Sequence, residues 1–162
     1  MRLALIAVAL AAVLRLAYGV GDPGYDASYA LLWGHEAAEG RAPDYEGPGS
    51  PTPHPLGNLV SIPLALLGGS AWEALTLLTY LAFAALGCGA FVLGRTLFSA
   101  PVGVVFAALL LTRPLLVSET LEAFVDLPFL ALLVWAAALE ARSPRRGAPV
   151  LVLLALAGLL RP

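Results

Sequence analysis

The chain has no lysine, one cysteine, and charge on only 12% of its residues. Each scarcity excludes something. Soluble domains carry roughly 25% charged residues. With 60% apolar residues and a mean hydropathy of +0.87, this composition is that of an integral membrane protein. A lone cysteine, Cys88, rules out an internal disulfide, and its apolar surroundings make it a buried, inert thiol. No CxxC or HxxxH spacing offers a structural metal site. All nine bases are arginine, which reads as the compositional habit of a GC-rich genome and carries no chemistry. The net charge of -2 says little about partners, and a nucleic-acid partner is not expected.

The abundant class is long apolar runs. A membrane-crossing helix needs about 20 predominantly apolar residues. Five segments approach this, at about 2–19, 71–94, 101–117, 124–140 and 148–161, so the expected fold is an all-α, polytopic transmembrane helix bundle. The first segment reads as a retained span. A signal peptide would want a stronger basic start than Arg2, no Arg15 within the run, and a better cleavage site than Leu16-Ala17-Tyr18-Gly19. Segment 56–69, with Pro63 in its middle, falls short of a span and reads as interfacial or re-entrant. On that count Arg95 and the link holding Arg142, Arg145 and Arg146 share the side of Arg2. The positive-inside rule then puts the N-terminus in the cytoplasm and loop 20–70 outside, in a cell membrane. The apolar run that ends at Arg161-Pro162 reads as the close of an N-terminal part of a longer protein.

The outer loop is the polar exception. It holds Asp22, Asp26, Glu36, Glu39, Asp44 and Glu46 against one base, Arg41. Residues 27–39 read as an interfacial helix, with Asp26 as N-cap, Gly40 just past the C-terminus, and Tyr29 and Trp33 suited to the water–lipid boundary. The prolines from Pro43 to Pro55 forbid a helix and stiffen the loop. Four ionisable residues are expected at one depth near the outer interface: Asp26, Asp126, Arg15 and Arg161. Such residues are costly against a bilayer and usually face a cavity or a partner. Each also has a plain structural role. Asp26 and Asp126 would cap helices, the latter ahead of Pro128, and the arginines would snorkel to headgroups. His35 and His54 read first as interfacial polar residues, and Glu119 and Glu122 as a solvated turn.

In this order and spacing, several segments resemble the GT-C superfamily of membrane glycosyltransferases, which includes protein O-mannosyltransferases and aminoarabinose transferases. Gly24-Tyr25-Asp26 and Gly40-Arg41-Ala42-Pro43-Asp44-Tyr45 are similar to the outer-loop aspartate, amphipathic helix and following turn. Pro53-His54-Pro55-Leu56 resembles an H-P-P-L motif with one proline missing. Leu93-Gly94-Arg95-Thr96-Leu97-Phe98 resembles a cytoplasmic turn, Val125-Asp126-Leu127-Pro128 the start of a span, and Leu156 to Pro162 the end of one.

The resemblance implies transfer of a sugar from a polyprenyl-phosphate donor to a glycan, lipid or protein acceptor on the outer face, with inversion. Asp26 would be the general base and Asp126 a second site carboxylate. Arg15, Arg161, His54 and Tyr29 would contact substrates, the arginines facing the lipid phosphate. Some relatives with two loop carboxylates use a divalent metal, so a metal stays open. The competing readings are a transporter segment, which would place acids in mid-span, and a non-catalytic membrane scaffold of the same fold.

Overall fold

Proline and glycine set most of the helix boundaries. The structure, a computed structural model, describes residues 2–22, 24–145 and 147–161. The regular structure among them is all helical: α1 (Arg2–Tyr18), α2 (Tyr25–Ala38), α3 (Pro55–Ala65), α4 (Ala71–Leu97), α5 (Ala100–Leu111), α6 (Pro114–Leu121), α7 (Asp126–Arg142) and α8 (Gly147–Leu160). Pro55, Pro101 and Pro114 stand in the first turns of α3, α5 and α6, where a missing N–H costs nothing. Helix α2 ends at Gly40, whose φ of +75° suits glycine. There Gly40 N–H donates to Ala37 O and Arg41 N–H to Glu36 O, which closes the helix in a Schellman motif. The loop from Pro43 to His54 is irregular, as its prolines require.

Helix α4 is the hub. It packs against α1, α5 and α7, while α2 pairs with α3, and α3 rests on α4 and α8. Small residues let the backbones approach. A Cβ on Gly94 would lie 2.8 Å from Gly103 Cα, and one on Gly103 would lie 2.5 Å from Phe91 O. Phe83, Leu86 and Leu127 fill the core between α4 and α7, and Tyr80 and Ala84 pack on Ala11 of α1. Polar handles fix the register. Tyr80 donates to Gly19 O at 3.0 Å, Trp72 Nε1 to Gly21 O at 2.7 Å, and Trp135 Nε1 to Ala85 O at 2.8 Å. Thus α1 runs antiparallel to α4, α7 runs alongside it, and α8 returns. Arg95, Arg142 and Arg145 gather at the end where α4 and α7 finish; Arg146 lies outside the described residues.

The helix lengths fall short of the five spans expected. Among the described residues, only Gly68–Leu97, 30 residues including a 3₁₀ turn, is long and apolar enough to cross a membrane. Ala100–Leu111 and Pro114–Leu121 make a second only if taken as one broken span, bent by 56°. The segment expected as a continuous span over 101–117 breaks at Arg113-Pro114, because proline removes a helical donor and pushes the preceding residue out of the α region. At 17 residues each, α1 and α7 are about 25 Å long, short of a bilayer core of about 30 Å. Helix α3, 11 residues with Pro63 inside, is shorter still.

Two glycines separate packing from propensity. Gly103→Leu is expected to destabilise the fold by about 1–3 kcal/mol through overpacking against α4. Gly158→Ala should stabilise α8 by about 0.5–1 kcal/mol, since nothing lies within 4 Å of the added Cβ. Thermal unfolding in one detergent, followed by circular dichroism, reads both signs.

Candidate functional site

At the end of the body opposite Arg95 and Arg142, α2 and α3 form a platform over α4, α7 and α8. The platform is seated by backbone contact. Gly24 N–H donates to Glu122 O at 3.2 Å, and a Cβ on Gly21 would fall 1.8 Å from Leu121 O. Helices α2 and α3 touch through Gly34, where a Cβ would lie 2.6 Å from the Ser61 carbonyl. Beneath the platform lies a cavity of about 490 Å³. Asp26 and His54 stand in its wall, with Ala123, Phe124 and Val125 of the turn before α7. Leu132 and Trp135 of α7 and Leu153 and Leu156 of α8 continue it as an apolar trough. A pocket of this size, mostly apolar with a few polar groups, is typical of small-molecule sites.

Asp26 is not the N-cap expected from the sequence. Gly24 holds that position in an extended conformation, and no side chain caps the helix. Asp26 sits in the first turn instead, where the positive end of the helix dipole favours a carboxylate. Ser28 Oγ donates back to Gly24 O at 2.9 Å. Asp126 is not a cap either: Val125 precedes α7 without a capping side chain, and Asp126 pairs with Arg161, the residue just past the end of α8. The pair closes α7 onto α8 at the cavity margin. Val125, Pro128 and Leu160 beside it line the cavity, and the pair itself does not.

Two expected contacts fall elsewhere. Arg15 lies half-buried near the end of α1, outside the cavity wall. Tyr29 stands in a row of rings, 5.0 Å from Tyr25 and 5.5 Å from Trp33, and Trp33 meets Tyr45 at 4.9 Å. Trp33 does not face lipid as expected: it is 2% exposed and donates Nε1–H to Asp44 O at 3.0 Å. Trp33 and Tyr45 bind the proline-rich loop to α2 and border a second pocket of about 380 Å³ with Pro53, Asn58 and Leu59. At the far end of α2, a hydrogen bond from Arg41, then the nearby His35, hold the Glu39 carboxyl below its ordinary range. Glu122, expected as solvated, lends its backbone to the platform while Ser118 Oγ donates to its carboxylate at 3.2 Å.

Sequence reasoning missed the trough. Thr79, Trp135 and the α8 leucines line the cavity but read simply as span residues, and Ser61 as part of the interfacial segment. It also missed Ala123, a wall residue with φ of +55°. A left-handed alanine costs about 1–2 kcal/mol and marks a turn that tertiary contacts enforce. Among the described residues no group of three His, Cys, Asp or Glu side chains could hold a metal ion, so the metal left open by the resemblance finds no ligand set here. Comparison with protein-family models, with curated proteins and with solved structures gives no match.

The pair at the margin has a measurable strength. The Arg161 side chain is 54% exposed and that of Asp126 23%, so solvent screens their attraction. A double-mutant cycle of Asp126→Ala and Arg161→Ala is expected to give a coupling of about 0.2–1 kcal/mol in unfolding free energy. A coupling near zero would remove the pair as the clasp between α7 and α8.

Proposed function

We propose that this chain is a catalytic module of a membrane glycosyltransferase, moving a sugar from a polyprenyl-phosphate donor to an acceptor at the outer face. The observation that carries the reading is a carboxylate, Asp26, in the wall of an apolar cavity next to an arginine–carboxylate pair. The order of segments that resembles GT-C enzymes gives that geometry its chemistry.

The reading includes a polytopic bundle. Its support is the outward face of the body: Leu16 is 86% exposed, Leu109 65% and Leu151 67%, on α1, α5 and α8. Apolar exposure spread over three helices suits hydrocarbon better than water. Shorter helices such as α1 and α7 would be met by local thinning of the bilayer and by snorkelling of Arg2, Arg15 and Arg142. The arginines at the far end favour a cytoplasmic placement for it, which leaves the cavity end outside.

In the proposed reaction an acceptor hydroxyl gives its proton to Asp26 as its oxygen attacks the anomeric carbon. The bond from that carbon to the phosphate oxygen breaks, and the configuration inverts. A hydroxyl is a poor nucleophile until its proton is taken, and a positioned carboxylate supplies that base. The departing lipid phosphate remains anionic, and Arg161 offers planar, paired donors to it. Arg15 lies outside the cavity wall and has no part in this step.

Asp26→Asn tests the base directly. The side chain makes no capping bond, so folding should be unaffected. Sugar transfer from a labelled polyprenyl-phosphate donor is expected to fall by roughly 10²–10⁴-fold; a folded variant with wild-type turnover would end the assignment. Orientation is checked separately, by a cysteine placed at Ser50. An impermeant thiol reagent is expected to label it from outside intact cells, and protection from outside with access from the cytoplasm would invert the topology.

A further inference from the structure

Among the described residues, one buried side-chain nitrogen or oxygen has no hydrogen-bond partner: Nδ1 of His54. Buried polar groups are paired in the great majority of cases, so an orphan asks for a cause. His54 also lines the larger cavity, across whose wall only four side chains carry hydrogen-bonding groups besides the indole of Trp135. Trp135 Nε1–H is committed to Ala85 O. Ser61 donates to Gly57 O at 3.0 Å and Thr79 to Leu75 O at 3.1 Å, each within its own helix. That leaves Asp26 and His54 as the groups with hydrogen-bonding capacity to spare.

We propose that Asp26 and His54 together hold the uncharged, hydroxylated head of an amphiphile whose single apolar chain lies in the trough of Leu132, Trp135, Leu153 and Leu156. The chemistry of the two side chains selects this head. An ionised carboxylate only accepts hydrogen bonds, and a neutral imidazole offers one donor and one acceptor. A hydroxyl is donor and acceptor at once, so neighbouring hydroxyls of a polyol satisfy both groups. A phosphate in the same place would set anion against anion within apolar walls, where weak screening strengthens the repulsion. The imidazole ring can present either nitrogen, because its χ2 torsion is broad. The cavity of about 490 Å³ is of a size typical of small-molecule sites. His54 is thus a specificity-determining residue at the cavity of the transferase reading. The assignment rests on that reading for the site and names what its polar end recognises.

The test measures binding without transfer. The protein in lipid nanodiscs is titrated with hexyl β-glucoside, followed by saturation-transfer NMR, and hexyl phosphate is added as competitor. The wild type is expected to bind the glucoside, and hexyl phosphate should fail to displace it. His54→Phe keeps the ring and removes both nitrogens; it is expected to weaken binding about tenfold. His54→Gln restores a donor and an acceptor and should recover most of the loss. Unchanged binding in His54→Phe with a wild-type melting temperature overturns the proposal, as does displacement by hexyl phosphate or no binding to the wild type. Should His54→Phe fail to fold, Leu156→Trp decides: it fills the trough without touching the polar groups, and retained binding there overturns the proposal. A wild type that binds the glucoside yet transfers no sugar sinks the transferase reading alone. Transfer that is unchanged in His54→Phe at substrate levels well below saturation sinks this one alone.

Discussion

The site depends on how closely the link between α1 and α2 lies against the turn after α6. Gly21 and Gly24 press on the carbonyls of Leu121 and Glu122, with no room for a Cβ at either glycine. One hydrogen bond, Gly24 N–H to Glu122 O, fixes the height of α2 above α7. Everything in the cavity roof follows from that height. Asp26 comes two residues after Gly24, and Ala123, Phe124 and Val125 come directly after Glu122, so the same contact carries both to one wall. The left-handed Ala123 belongs to this constraint. The chain must turn there to bring Asp126 to the start of α7, and N–H groups of Ala123 and Phe124 close α6 onto Thr120 and Glu119.

Charge is divided between the two ends of the body for a physical reason. Helix α4, long and largely buried, has no ionised residue between Glu73 and Arg95. Its polar side chains in that stretch are neutral: Thr76 bonds to Trp72 O and Thr79 to Leu75 O within the helix, and Tyr80 donates to Gly19 O. Ionised groups are confined to places where water, a partner or a cavity can serve them. A transport pathway would ask for acids near the middle of such a helix, and α4 supplies none.

The helical elements were legible in the sequence wherever punctuation was strong. Gly40 after Glu39 and the proline run from Pro43 meant what they said, whereas α3 runs on through Pro63 to Ala65. The break at Arg113-Pro114 carried the same signal, but the apolar residues on both sides concealed it. Capping was misread for a general reason. Asp26 and Asp126 are good caps by residue type, yet a cap needs one helical position and not its neighbour. Helix α2 begins one residue earlier than Asp26 because Gly24 is held against Glu122, a contact distant in sequence. The cavity was the least legible part. Its apolar wall draws on α3, α4, α7 and α8, and each contributing residue is indistinguishable from outward-facing apolar neighbours until the packing is known. Of the polar candidates, Asp26 and His54 do meet there, while Arg15 and Tyr29 serve other contacts.

The pairing of Arg161 with Asp126 bears on how an anionic leaving group could be served. A guanidinium has five N–H donors, and one carboxylate engages two of them at most, so donors remain for a second anion. The charges of the pair nevertheless cancel at a distance, and a phosphate would feel little attraction until it comes close. Such an arrangement would discriminate by contact geometry, because only a phosphate brought up to the cavity margin comes near enough to share the arginine. It also keeps the guanidinium oriented in the empty site, so that less side-chain order has to be lost on binding. The hydroxylated head and the anionic group would then occupy different stations: the head between Asp26 and His54, the phosphate at the margin beside Arg161. Under the proposed function, separation of the two would keep the carboxylate of Asp26 away from the departing negative charge, as a base and a leaving group on opposite sides of one carbon require.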